Sequence, residues 1–352
     1  MRAPGRGARG AEVAALPRAE GPPIACTVVP EPDPLLLTVA AAFAVLNGVN
    51  DGGTLLTLSL KVGGVRLLTA LGVLAAFVAL APALLGTAVA STLAGRLVAF
   101  DGPQGQRAVL LAVVAAVLVS SVLARRGLPT SLTLALVGGL TGAGLGAGLA
   151  VSWPVVGGVL ATAAVAPMLG GALAFGLSRL ALRVRAPAGS ARFLARAHRL
   201  SLLVQALAYG ANDGQKMLAV AAVGAGLATD PVPRDPVLLV AAVLLFALGA
   251  ALGLRRYSRT VGGVIPVRPP NAVIGQVAAS VAVLASAGLG APVSMTQAVS
   301  GGLVGTGVSE GHRRVRWQVA LQIGTAWVVT LPLALLVGLL VAAGAAAIAG
   351  AA

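Results

Sequence analysis

The sequence predicts an all-α polytopic membrane protein built from two inverted-topology repeats with broken helices. Three observations predict it. Only 10% of the 352 residues are charged and 58% are hydrophobic, whereas about a quarter of a soluble domain is charged. Stretches 64–92, 107–124, 155–178, 236–253 and 318–349 are nearly uncharged and long enough to cross a bilayer, which takes about 20 apolar residues. The chain is also written twice. A β-barrel would show alternating segments of about ten residues, and the sequence has none.

The first element is residues 1–34, which hold Arg2, Arg6, Arg9 and Arg18 among several Pro and Gly. It contains no apolar run suited to a signal peptide, and a disordered basic tail is expected. The only cysteine, Cys26, excludes an internal disulfide framework.

The duplication comes next. LNGVNDGG (46–53) matches AYGANDGQ (208–215), with Asp51 and Asp213 162 residues apart. GLPTSLT (127–133) matches GAPVSMT (290–296), with Ser131 and Ser294 163 apart, as are Thr133 and Thr296. VGGL (137–140) pairs with SGGL (300–303), and Trp153 with Trp317. Two membrane halves are expected, 35–182 and 198–349, joined by a basic cytoplasmic linker at 183–197.

Basic residues orient the halves. With the start of the first span outside, the cytoplasmic loops carry Lys61, Arg66, the run Arg179 to Arg199, Arg255, Arg256, Arg259, Arg268, Arg313, Arg314 and Arg316. The outer loops carry only Arg96, Arg107 and Arg234. Charge follows the side of the membrane and not the repeat position, as an inverted repeat requires. About ten transmembrane segments fit this plan. Segments 107–124 and 130–150 are either two full spans or a re-entrant hairpin; both keep an odd number of crossings per half. The net charge of +15 comes with almost no aromatic residues on which bases would stack, so nucleic acid is not an expected partner.

Of ten acidic residues, only Asp51 and Asp213 fall within spans, each after an Asn. A carboxylate at the bilayer centre costs at least about 2.5 kcal/mol and marks an ion or substrate path. A lone Asn-Asp is usually a turn; its duplication argues for a site. Flanking Gly48, Gly52, Gly53, Gly210 and Gly214 would let the backbone unwind, exposing N–H groups to an anion and carbonyls to a cation. Ser131 and Ser294 stand at proline-led helix starts, where a serine caps the helix and donates to oxyanions. Thr130, Thr133 and Thr296 add hydroxyls. Lys216, three residues after Asp213, either neutralises that carboxylate or holds an anion. Lys61 reads as a loop lysine, and Trp153 and Trp317 as interfacial anchors. His198 and His312 lie among arginines in expected loops, which gives no metal site. No nucleophile–base pair or nucleotide loop is present, so no enzyme is predicted.

GAND-x-Q-K and G-x-P-x-S-x-T, each with a degenerate twin, resemble the motifs of the inorganic phosphate transporter family, bacterial members above all. The resemblance spans about 35–349. It implies symport of phosphate with a cation, sodium or proton, across the cytoplasmic membrane, and in many bacterial members carriage of a metal-phosphate complex. It places phosphate binding on Asn50, Asn212, Ser131, Thr133, Ser294 and Thr296, with Lys216 beside them, and the coupling cation on Asp51 and Asp213. Leu134 and Gln297 stand where the family often has His, and Leu132 and Met295 where it has its first Thr. No cofactor is implied beyond the coupling ion, and a homo-oligomer is compatible with the pattern. Two other readings fit the residues: a carrier of sulfate or another oxyanion, and a non-transporting membrane sensor or scaffold.

Overall fold

The computed structural model describes residues 34–100, 102–126, 130–183, 190–224 and 236–351. The tail 1–33, with Cys26, and residues 184–189 of the linker lie outside the described residues. The described chain is helical apart from turns and a single bridge between Val98 and Val151.

Ala- and Leu-rich stretches form α1 (Pro34–Asn47), which runs through a five-residue π turn (Gly48–Gly52) into α2 (Gly53–Val62). Then come α3 (Leu67–Leu85), a short α4 (Ala88–Ser91) with its own π turn (Thr92–Arg96), α5 (Gly102–Arg125), α6 (Leu132–Gly146) and α7 (Trp153–Arg183). A similar order follows. Helix α8 (Ser190–Tyr209) passes through a π turn (Gly210–Gly214) into α9 (Gln215–Gly224), followed by α10 (Pro236–Val264), α11 (Pro269–Gly288), α12 (Met295–Glu310) and α13 (Trp317–Ala351).

Seven helical stretches among the described residues are long and apolar enough to cross a membrane: 34–62, 67–85, 102–125, 153–183, 236–254, 269–288 and 317–349. Three further helical elements lie among them. The stretch 190–224 carries Arg192, Arg196 and Arg199 at its start. Helices α6 and α12, of 15 and 16 residues, are only about 22–24 Å long, short of the ~30 Å hydrocarbon core. Leu84, Met168, Leu180, Leu244, Val328 and Leu340 are more than half exposed. Large apolar side chains turned outward suit a lipid surround. The chain is a multi-pass membrane protein.

Two expectations change. The motif helices are not broken. Gly52, Gly53, Tyr209 and Gln215 keep right-handed helical dihedrals, so the helix widens by one residue and continues. The motif glycines serve packing instead. A methyl at Gly48 would overlap the carbonyl of Phe246 on α10, and one at Gly210 the carbonyl of Phe77 on α3. His198 also sits in α8 and not in a loop. Its run of Ala, Leu and Arg has good helix propensity.

Packing crosses between the halves. Helix α10 covers the first π turn and α3 the second. Helix α6 packs on α13, and α12 packs on α7. Glycines make both seams. Gly142 and Gly146 face the carbonyls of Leu335 and Leu339, while Gly301 and Gly305 face those of Pro167 and Gly171. Without large side chains the backbones approach closely, which is how helices associate where lipid removes the hydrophobic drive.

Candidate functional site

The two π turns carry Asn50-Asp51 and Asn212-Asp213, and they meet. Tyr209 Oη donates to the Asp51 carbonyl at 2.6 Å. Asn47, at the matching position of the first half, donates through Nδ2 to the Asp213 carbonyl at 3.2 Å. Each half thus ties the other's motif main chain.

Nearby, two helices begin. Ser131 caps α6, accepting from Leu134 N at 3.2 Å, and Ser294 caps α12, accepting from Gln297 N at 3.4 Å. These are the caps the sequence predicts. The Asn side chains hold the segments that lead into them. Asn50 Nδ2 donates to the Thr130 carbonyl at 3.1 Å. Asn212 grips Val293 twice, donating to its carbonyl at 2.7 Å and accepting from its N–H at 3.0 Å. Both amides therefore bind protein backbone and fix the helix starts.

Lys216 is buried and saturated. Its ammonium pairs with Asp213 Oδ1 at 2.7 Å and donates to Thr133 Oγ1 at 2.6 Å and the Val293 carbonyl at 2.9 Å. Thr133 in turn donates to the Val293 carbonyl at 3.0 Å. Of the two roles left open for Lys216, the geometry favours neutralising Asp213. Asp213 Oδ2 also accepts from Asn212 Nδ2 at 3.2 Å.

Asp51 differs. It is fully buried, and its carboxylate has no ion-pair partner like that of Asp213 among the described residues. Thr296 faces it from the other half, and Asp213 and Lys216 act on it electrostatically. The residue three after it is Thr54, a buried hydroxyl without a partner where the second half has Lys216. Thr130 Oγ1 is likewise buried and unpartnered. Ser294 and Thr296 share a hydrogen bond of 2.7 Å.

All nine predicted residues are buried, drawn from both π turns, the start of α9 and the starts of α6 and α12. The arrangement offers hydroxyls and two helix N-termini to an anion, and one uncompensated carboxylate to a cation.

The sequence reading missed three supports. Asn47 and Tyr209 stand inside the aligned strings LNGVNDGG and AYGANDGQ, but their side chains differ. Gln215 accepts from Val89 N and Ala90 N at 2.9 and 3.1 Å and donates to the Gly86 carbonyl at 2.8 Å. It pins the α3–α4 corner, and only its place beside the motif hinted at a role.

A family model described as the phosphate transporter family matches residues 47–196 and 183–338. The chain belongs to the phosphate transporter family. Its relatives include a "Probable low-affinity inorganic phosphate transporter" of Mycobacterium bovis, 35% identical over 321 residues, 86% of this chain and 75% of that protein. A Bacillus subtilis protein of the same name is 25% identical over 86% of this chain and 94% of its own length. A solved structure titled "The sodium-dependent phosphate transporter" superposes with a TM-score of 0.72 at 18% identity, covering 88% of this chain and 97% of that one. That likeness shows a shared helical fold.

Proposed function

We propose that the chain is a secondary active transporter that carries inorganic phosphate across the cytoplasmic membrane in symport with a proton or sodium ion. One observation carries the reading. Two carboxylate-bearing π turns from matching halves face two serine-capped helix starts inside an apolar molecule. Hydroxyls of Ser131, Thr133, Ser294 and Thr296, with the N-termini of α6 and α12, hold the phosphate. Asn50, Asn212 and Lys216 serve from behind, holding the backbone and charge on which those donors stand. Asp51 and Asp213 provide the negative charge that draws the coupling cation.

The halves are proposed to lie inverted in the bilayer, giving ten segments with α5–α6 and α11–α12 as hairpins. Five helical units per half and the short α6 and α12 support this. Rocking of one half against the other would open the site to each side in turn.

Phosphate uptake into proteoliposomes, with sodium and proton gradients imposed separately, tests the proposal. Uptake under one gradient is expected, and its loss in Asp51→Asn and Asp213→Asn. No uptake under either gradient overturns the function. Unchanged uptake in a variant overturns the role of that carboxylate. Repeating the assay with and without divalent metal separates free phosphate from a metal-phosphate cargo.

A further inference from the structure

We infer that Lys216 is a resident cation occupying one of two equivalent ion positions, which leaves a single exchangeable cation site at Asp51. The inference rests on the transport reading above and adds the number of ions.

The ammonium of Lys216 lies in an all-oxygen shell. A carboxylate oxygen of Asp213 stands at 2.7 Å, the Thr133 hydroxyl at 2.6 Å and the Val293 carbonyl at 2.9 Å. Carboxylate, hydroxyl and carbonyl oxygens are the ligands that hard cations take. The internal duplication maps each ligand onto the other half. Asp213 corresponds to Asp51, Thr133 to Thr296 and Val293 to Thr130. The mate of Lys216 is Thr54, short and uncharged.

The second position therefore has the same oxygen types and no ammonium. Thr296 faces the Asp51 carboxylate, and the carbonyl of Thr130 is held by Asn50. Thr54 Oγ1 and Thr130 Oγ1 are buried without partners, and the Asp51 oxygens have only Thr296 as a nearby donor. A carboxylate and two free hydroxyls on residues nine-tenths or more buried are costly unless something binds there.

Charge points the same way. Asp51 and Asp213 against Lys216 leave one net negative charge. One monovalent cation at Asp51 closes it, and a second would have to displace the lysine.

The test uses the full chain in proteoliposomes, with phosphate uptake followed as sodium and protons are titrated separately. The activating cation identifies the ion. Wild-type uptake is expected to rise with a Hill slope near 1, Lys216→Thr to rise with a slope approaching 2, and Lys216→Arg to stay near 1. A wild-type slope near 2, or an unchanged slope in a transporting Lys216→Thr protein, overturns the inference. Thr54→Lys serves if Lys216→Thr does not fold. It places an ammonium at Asp51, and phosphate should then equilibrate without a cation gradient driving it. Gradient-driven accumulation at the wild-type level in Thr54→Lys overturns the inference. Wild-type protein that moves no phosphate fails the transport reading instead, before any variant is made.

Discussion

Tyr209 donates its phenolic hydrogen to the main-chain carbonyl of Asp51 over 2.6 Å, joining the second half of the chain to the charged turn of the first. Tyr209→Phe removes that bond and keeps the ring packing. A buried hydrogen bond contributes on the order of 1 kcal/mol, so thermal unfolding of the purified protein should fall measurably. Unchanged unfolding would mean that the tie between the π turns contributes nothing.

The seam between α6 and α13 should tolerate no side chain. A methyl at Gly142 meets the Leu335 carbonyl, whereas one at Gly157 meets nothing within 4 Å. Overpacking costs about 1–3 kcal/mol. Gly142→Ala should lower thermal stability by that order, and Gly157→Ala should leave it unchanged or raise it, since Ala favours helix. Equal behaviour of the two variants in a thermal melt would contradict the close approach.

Asn212 serves the Val293 peptide on both sides. In Asn212→Ala the Val293 N–H loses its partner, and a buried donor left alone costs about 1–3 kcal/mol. Stability and phosphate uptake should fall together. Asn212→Asp keeps the acceptor but turns a second buried carboxylate oxygen on the Val293 carbonyl and on Asp213 Oδ2, so it should be at least as damaging in a melt. A stable but inactive Asn212→Ala protein would instead assign the amide to the substrate.

Ser131 and Ser294 each have a capping role and a proposed ligand role, and glycine separates them. Glycine in place of a capping serine costs only a few tenths of a kcal/mol. Ser131→Gly should therefore fold like the wild type and bind phosphate more weakly, by about 1.5–3 kcal/mol, roughly tenfold or more in Kd, for one lost hydrogen bond to a charged group. Isothermal titration with inorganic phosphate reads this, and an unchanged Kd would limit Ser131 to its cap.

Much of the plan was legible in the sequence because duplication is a pattern and needs no geometry. The offset between Asp51 and Asp213 located both π turns, Ser131 and Ser294 were recognised as caps, and Trp153 and Trp317 open α7 and α13. The rest depended on contacts. Glycines beside a charged motif look the same whether they unwind a helix or admit a neighbour. Only the positions of Phe246 and Phe77 decide for packing. An asparagine next to an aspartate gives no sign that its amide turns to the backbone 80 residues on. Asn47 and Tyr209 share a position and a task but not a side chain, so matching letters could not pair them. Lys216 has no twin, and its meaning appears only once Thr54 is seen in its place.

The glycine seams bear on how the chain is made. Helices α6 and α7 leave the ribosome before α12 and α13, their partners, exist. During synthesis the first half holds open grooves, and its charged turn lacks Tyr209. Completion of α13 closes the α6 seam. Truncation before Leu331, which removes the residues that face Gly138, Gly142 and Gly146, should therefore leave α6 uncovered and mark the nascent protein for membrane quality control.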